Sequence, residues 1–107
     1  ATASNGQEAV HQALLGCPDV AVLDISMPVM DGIEAARQIH NNCPNTHVVI
    51  LSMYNTPEYV QRSLRAGAAG YVLKDAAGDE LVQAVRTLHK GYSYFSPIIA
   101  EMVRNFK

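Results

Sequence analysis

The 107-residue sequence is short of charge. Only 17% of its residues are charged, the formal net charge is −2, and no cluster of Lys or Arg occurs. Because a segment that grips nucleic acid by itself needs a basic surface, we do not expect this one to bind nucleic acid alone. Long apolar runs are missing as well. A membrane-spanning helix needs roughly 18 apolar residues, so the sequence predicts no membrane span.

Cysteine is also scarce. Cys17 and Cys43 each precede a proline just before a predicted strand. A metal site needs more ligands than two, and a pair of cysteines in a reducing compartment normally stays as thiols. If the strands that begin near Val20 and Val48 are neighbours, the two sulfurs lie close together at one end of the sheet. A disulfide is possible there, but we expect two thiols.

The familiar phosphate-binding and hydrolytic motifs are missing too. The sequence contains no Walker loop, no G-x-G-x-x-G turn and no arrangement that resembles a Ser-His-Asp triad. Its four histidines are scattered and none pairs with another ligand at metal-binding spacing. We interpret them as surface residues.

Short apolar runs alternate with amphipathic helical patterns along the chain. Apolar residues make up 49% of the sequence, which is enough for one domain with a hydrophobic core. Runs at 20–23, 47–52 and 70–73 have the composition of strands buried on both faces. Helices are predicted at 5–16, 31–42, 56–66, 79–90 and from 96 onward. This alternation predicts a parallel sheet with helices on both faces.

Three polar residues end the three predicted strands: Asp24, Ser52 and Lys74. The carboxyl ends of parallel strands meet at one edge, so the fold brings these residues together. Aspartate is a workable nucleophile toward phosphorus. Lysine offers a positive point charge to a phosphoryl oxygen, and serine offers a directional hydrogen bond. The pattern therefore favours transfer of a phosphoryl group to Asp24.

The motifs around these residues resemble bacterial response-regulator receiver domains, over essentially the whole chain. The phosphoacceptor segment of that family is similar to Leu23-Asp24, Met27-Pro28 and Met30-Asp31-Gly32. Its later motifs match, in order, Leu51-Ser52, Ala66-Gly67-Ala68 and Gly70-Tyr71-Val72-Leu73-Lys74-Asp75. The last of these motifs, together with residues 91–97, resembles the NarL/FixJ (LuxR-type) subfamily.

The resemblance implies an α/β fold, the flavodoxin-like (CheY-like) three-layer parallel sheet with strand order 2-1-3-4-5. It implies that Asp24 is the phosphoacceptor, that the Ser52 hydroxyl moves toward the phosphoryl group and that Lys74 contacts the phosphate. The backbone carbonyl of Ser26 would bind Mg²⁺ beside Asp24. Tyr71 would be the aromatic switch residue, which turns inward when Ser52 moves.

The resemblance also implies partners. A sensor histidine kinase would supply the phosphoryl group, and the phosphorylated protein would form a homodimer in the cytoplasm, away from the membrane. The chain would not be an enzyme, except that it assists its own phosphorylation and dephosphorylation. Residues 1–95 would be the receiver domain. Residues 96–107 would begin a linker helix toward a helix-turn-helix effector absent from this chain, through which the full-length protein would bind DNA and control transcription.

The start of the chain departs from the family pattern. The first strand, which ends in two acidic residues, and the first helix are absent, and Ala1 to Gly6 resembles the end of the family's second strand. The absent strand is the central one, so we expect a gap in the sheet and an apolar edge open to another chain. The absent acidic pair supplies Mg²⁺ ligands, so we expect an incomplete metal site.

Two other functions fit parts of the pattern. A pseudo-receiver would use the same fold as a phosphorylation-independent protein-interaction module, and the lack of the acidic pair favours it if the whole protein lacks that strand too. A phosphatase of the haloacid-dehalogenase type would need a second aspartate two residues after Asp24, where Ser26 stands. Phosphoryl acceptance by a receiver domain remains the primary prediction.

Overall fold

The computed structural model describes residues 2–3, 16–25, 29–75 and 78–106. Within these ranges the strands are β1 (Thr2–Ala3), β2 (Val20–Ile25), β3 (His47–Ser52), β4 (Gly70–Leu73) and β5 (Tyr94–Phe95). The helices are α1 (Val29–Asn42), α2 (Pro57–Arg65), α3 (Gly78–His89) and α4 (Pro97–Arg104). The predicted helix at 5–16 lies almost wholly outside the described residues.

The strands form one sheet in the order β1-β2-β3-β4-β5, and every neighbouring pair is parallel. This confirms the predicted open α/β architecture. No helix in the described ranges is both long and apolar enough to cross a membrane.

Proline marks two helix starts as the sequence predicts. Helices α2 and α4 begin at Pro57 and Pro97, each at the first helical position, where a missing N–H is harmless. The start of α1 differs from the prediction. It begins at Val29 rather than near Asp31, so Asp31 lies in the first turn and is not its cap.

The prediction of a gap in the sheet beside β2 is wrong where β1 lies. Strand β1, in the segment that resembles the end of the family's second strand, pairs directly with β2, with Thr2 opposite Val22 and Ala3 opposite Leu23. The physical reason is that a short strand of the same chain can satisfy the free backbone groups along β2. The edge is thus partly closed from within the chain.

Strand β5 was missed by the sequence analysis. Tyr94 and Phe95 pair with Gly70 and Tyr71 at the far edge of the sheet. Two residues carry no periodicity, so only their pairing with β4 defines them as a strand. The Tyr71 carbonyl also accepts the N–H of Ser96 at 3.0 Å, which joins this edge to the start of α4.

Alternation along the strands divides the core into two clusters. One face of the sheet contributes Leu23, Val48, Ile50 and Tyr71, which pack with residues of α1, α2 and α4. The opposite face contributes Val49 and Val72, which pack with Ala84 and Leu88 of α3. Side chains of even-numbered β3 residues therefore face α1, α2 and α4, and Ser52 belongs to this set.

In the described helices the apolar pattern of the sequence predicts that Ile33, Ala36, Ile39, Val82 and Ile99 face the core, and Val82 is the exception among them. Ile33, Ala36 and Ile39 of α1 are buried, and Ile99 of α4 is fully buried. Val82 of α3 is 51% exposed, although the pattern predicts that it faces the core. Only a narrow stripe of α3 touches the sheet, and Ala84 and Leu88 lie at its centre.

Cys17 and Cys43 form a disulfide, with Cα atoms 5.4 Å apart, so the prediction of two thiols is wrong for this structure. Backbone geometry explains the pairing. The Thr46 hydroxyl donates to the Pro18 carbonyl at 2.5 Å, and the His47 N–H donates to the Asp19 carbonyl at 2.9 Å. These bonds hold the two segments side by side at the amino end of β2 and β3, within disulfide reach.

Reduction of this disulfide is expected to destabilise the fold. The bond joins residues 26 positions apart, and closing a loop of that length in the unfolded chain corresponds to about 3.5 kcal/mol. Denaturant unfolding with and without reductant measures the difference. Cys17→Ser removes an exposed sulfur and should unfold like the reduced parent, with no response to reductant. A parent protein whose midpoint does not move on reduction would contradict this expectation.

Candidate functional site

The register of three strands assembles one edge of the sheet. Asp24 lies opposite Leu51, and the next pair places Ile25 opposite Ser52. Ser52 in turn lies opposite Leu73. The following residue, Lys74, donates its N–H to the Ser52 carbonyl at 2.7 Å. The backbone positions of Asp24, Ser52 and Lys74 thus come together at the carboxyl edge, and their chemical roles remain predictions.

Ser52 is fully buried at this edge. Its Oγ accepts the backbone N–H of Tyr54 at 3.0 Å, which stabilises the turn that leaves β3. A serine hydroxyl satisfies a local donor in this way when the chain leaves a strand. The hydroxyl is therefore engaged with the loop between β3 and α2, and any movement of Ser52 must disturb that loop.

The position of Lys74 is set by hydrogen bonds at the end of β4, the strand that neighbours Ser52. It is partly exposed and directly follows β4. The neighbouring Leu73 N–H donates to Ser96 Oγ at 3.0 Å, and the Ser96 hydroxyl donates to Glu80 of α3. Ser96 is only 2% exposed. These bonds tie the end of β4 to both α3 and α4, and so fix where Lys74 leaves the sheet.

Tyr71 is fully buried, and its hydroxyl donates to the Tyr54 carbonyl at 2.6 Å. The resemblance implies a side chain that turns inward on switching, and this structure has it inward. Burial raises the pKa of Tyr71 to about 12, while its contact with the Ser52 side chain works in the opposite direction. The phenol therefore stays neutral and keeps its donor at physiological pH.

Two further tyrosines, Tyr54 and Tyr59, lie beside Tyr71, and the sequence pattern predicted neither. Tyr59 of α2 is 4% exposed and lies between the other two rings. Its centroid is 5.5 Å from that of Tyr54 and 6.1 Å from that of Tyr71, both edge-on. Burial raises its pKa as well, and the neighbouring phenols add to the shift. A signal was available in the sequence: the apolar pattern of this helix predicts that Val60 faces inward, and Tyr59 directly precedes it and lies one turn before Ser63, which is buried as well.

The described residues do not supply a complete Mg²⁺ site. Among the described residues no three side chains of His, Cys, Asp or Glu cluster in a way that could hold a metal. The expected ligands within the chain are Asp24 and the backbone of Ser26, which lies outside the described residues. Magnesium requires six oxygens in near-octahedral geometry, and two ligands leave most positions to other groups.

Comparison with known proteins identifies similar sequences. A family model described as "Response regulator receiver domain" matches residues 1–86. An uncharacterized transcriptional regulatory protein, YxjL of Bacillus subtilis, is 41% identical over 94% of this chain and 46% of its own length. The oxygen regulatory protein NreC of Staphylococcus carnosus is 39% identical over 97% of this chain and 51% of its own length. The chain spans about half the length of these curated relatives.

A solved structure is similar in fold as well as sequence. The crystal structure of a LuxR-family two-component response regulator from Aurantimonas sp. SI85-9A1 superposes with a TM-score of 0.84 at 32% identity. The match covers 95% of this chain and 73% of the other.

The buried phenols predict how stability falls in alkali. A tyrosine whose pKa is raised by folding favours the folded state fully below its unfolded pKa of 10.0, and that contribution is lost as the pH rises toward about 12 for Tyr71. The free energy of unfolding should fall by about 1.4 kcal/mol per pH unit for each such group. Denaturant unfolding at a series of pH values from about 9 to about 12, roughly the range over which tyrosine ionises, measures this slope.

The matched variants are Tyr71→Phe and Tyr92→Phe. The first removes a buried phenol and should make the slope shallower by one proton. The second removes a phenol that is 68% exposed and should leave the slope unchanged. If Tyr71→Phe has the parent's slope, burial of this hydroxyl does not govern its ionisation.

Proposed function

The chain belongs to the response regulator receiver family, and on that premise we propose that it accepts a phosphoryl group from a sensor histidine kinase on Asp24. It is a receiver domain of the NarL/LuxR type, for which phosphorylation-dependent switching is the standard function. The observation that most supports the site is the register of β2, β3 and β4, which gathers Asp24, Ser52 and Lys74 at one edge.

The reaction is a simple displacement at phosphorus. A carboxylate oxygen of Asp24 attacks the phosphorus of a phosphohistidine, the P–N bond breaks, and its electron pair returns to the histidine nitrogen. The product is an acyl phosphate, and attack by water later restores the carboxylate. Asp24 is phosphorylated by the kinase and restored by hydrolysis, and the chain acts on no separate substrate. Its role is therefore that of a phosphoacceptor that assists its own phosphorylation and dephosphorylation.

Ser52 and Lys74 respond to the new charge, which is close to −2. The Lys74 ammonium forms a charge-assisted hydrogen bond with one phosphoryl oxygen, and the Ser52 hydroxyl forms another. To do so, Ser52 gives up the Tyr54 N–H that it accepts in the present structure. The phosphoryl group therefore acts on the β3–α2 loop through a single hydroxyl.

Tyr71 is the switch in this proposal. Its hydroxyl bonds the Tyr54 carbonyl, two residues past Ser52. A shift of Ser52 and Tyr54 changes the partners available to Tyr71, and the equilibrium of α2 and β4 changes with them. The surfaces formed by α2, β4 and α3 then differ between the two states.

The full-length protein would pass this change to DNA. Response regulators take their phosphoryl group from sensor histidine kinases and often dimerise, and the curated relatives include transcriptional regulatory proteins about twice as long as this chain. We infer a cytoplasmic regulator that dimerises when phosphorylated and binds DNA through a separate domain. Helix α4 would begin the linker to that domain. Its Ile99 packs in the same core cluster as Tyr59 and Tyr71, so a rearrangement of that cluster would move the helix.

Asp24→Asn should abolish phosphorylation. The parent chain, followed by intact mass over a long incubation with acetyl phosphate, should gain the mass of one phosphoryl group only slowly, because its own ligands leave the metal site incomplete. The added mass should be lost in base, as an acyl phosphate requires. Asp24→Asn should gain none, because an amide is not a nucleophile toward phosphorus. Asp75→Asn, at an exposed position next to Lys74, is the control and should be labelled like the parent.

Labelling that persists in Asp24→Asn would remove Asp24 from the proposal. A parent that stays unlabelled over the same long incubation would favour the phosphorylation-independent interaction module.

Magnesium should have little effect on this chain as it stands. With Asp24 and one carbonyl as its ligands in this chain, the ion is weakly held, so labelling by acetyl phosphate in Mg²⁺ and in EDTA should agree within roughly twofold. The comparison is a time course of intact mass under both conditions. Strong stimulation by Mg²⁺, at the rate of an ordinary receiver, would show that other groups complete the site.

A further inference from the structure

We propose that Tyr59 is a positioning residue for the switch: its ring, held between Tyr54 and Tyr71, keeps Tyr71 in the buried position seen here. The proposal rests on the proposed function only in calling Tyr71 the switch. Its physical content, that one ring fixes the place of another, stands on the packing of the three tyrosines and can be tested without phosphorylation.

The first support is the geometry of the cluster. The ring of Tyr59 meets Tyr54 at an interplanar angle of 74° and Tyr71 at 80°. In an edge-to-face pair the positive rim of one ring meets the negative face of the other, and the attraction depends on orientation as well as contact area. Two such contacts on one ring constrain the direction of both neighbours, which an aliphatic side chain of equal volume would not do.

The second support is where those neighbours act. Tyr54 donates its N–H to Ser52 and offers its carbonyl to the Tyr71 hydroxyl. Tyr59 therefore packs against the middle residue, Tyr54, and one end, Tyr71, of the hydrogen-bonded path that begins at Ser52. If Tyr71 swings out, it leaves the Tyr54 carbonyl and the edge of Tyr59 together, so the two interactions support each other.

The third support is the anchoring of Tyr59 itself. It lies in the first turn of α2, and its carbonyl accepts the hydroxyl of the fully buried Ser63 at 2.9 Å. The adjacent Val60 is fully buried in the same core cluster. The ring is thus attached to a helix that the proposed switch moves, and it couples the position of α2 to that of Tyr71.

The Tyr59 hydroxyl does not explain why a tyrosine stands here. It is buried and has no hydrogen-bond partner within the described part of the chain. A buried hydroxyl without a partner destabilises a fold. The aromatic ring is then the part that contributes to positioning, and phenylalanine should replace it. A residue that merely fills space would also be replaced by leucine or methionine, so these variants separate the two roles.

Fluorine NMR of protein labelled with 3-fluorotyrosine reads the position of Tyr71 directly. The chain has five tyrosines, so Tyr→Phe variants assign a small set of signals. Tyr59→Phe should leave the Tyr71 signal at its parent position. Tyr59→Leu should move it most of the way toward the signal of exposed Tyr92. Tyr59→Met provides a second variant, because a flexible thioether fills an irregular gap without an aromatic edge.

The matched control is Leu88→Ala, which opens the core cluster on the opposite face of the sheet. It should lower the unfolding midpoint and leave the Tyr71 signal in place. If the leucine and methionine variants of Tyr59 keep the parent's Tyr71 signal, or if Leu88→Ala moves it as far, Tyr59 is a core residue only and the proposal is wrong.

Asp24→Asn distinguishes this result from the proposed function. It should not affect the Tyr71 signal of the unphosphorylated protein, since the packing does not involve the phosphoryl group. A Tyr71 signal that follows the Tyr59 variants, in a chain that is never phosphorylated, would leave the positioning role intact and remove the signalling role.

Discussion

The register between β2, β3 and β4 is the constraint on which the rest of the structure depends. It places Asp24 one pair from Ser52, and Ser52 beside Leu73, so that Lys74 leaves the sheet at the same edge. A slip of one residue would turn every side chain of a strand to the other face. Ser52 would then lose its place beside Tyr54 and Tyr71. The strand register therefore determines both which residues meet at the carboxyl edge and the position of Ser52 beside Tyr54 and Tyr71.

The tyrosine cluster converts that edge into a connection with the helices. Ser52, Tyr54 and Tyr71 are joined by hydrogen bonds, and Tyr59 adds α2 to the same group by ring packing. Hydrogen bonds among backbone and phenol groups specify distances, and edge-on rings specify directions. Packed interiors respond to a small shift by changing between discrete arrangements. Movement of the Ser52 hydroxyl at the sheet edge can therefore change the position of α2.

The opposite end of the sheet is held by different means. Cys17 and Cys43 are joined there, beside the hydrogen bonds of Thr46 and His47 to the preceding segment. In a reducing compartment the sulfurs would separate into thiols, and these hydrogen bonds would still align the two segments. None of these bonds involves a residue of the carboxyl edge, where Asp24, Ser52 and Lys74 lie.

The sequence by itself determined the alternation of strands and helices, the prolines that begin α2 and α4, and the candidate residues Asp24, Ser52 and Lys74. These depend on local periodicity and on which residue ends a strand, and both can be seen in a short window. Only the tertiary structure decided that β1 pairs with β2, that Tyr94 and Phe95 form a strand, that the cysteines bond and that Tyr59 lies between two other rings. Each of these depends on residues far apart in the chain, whose distance is set by the packing of the whole core.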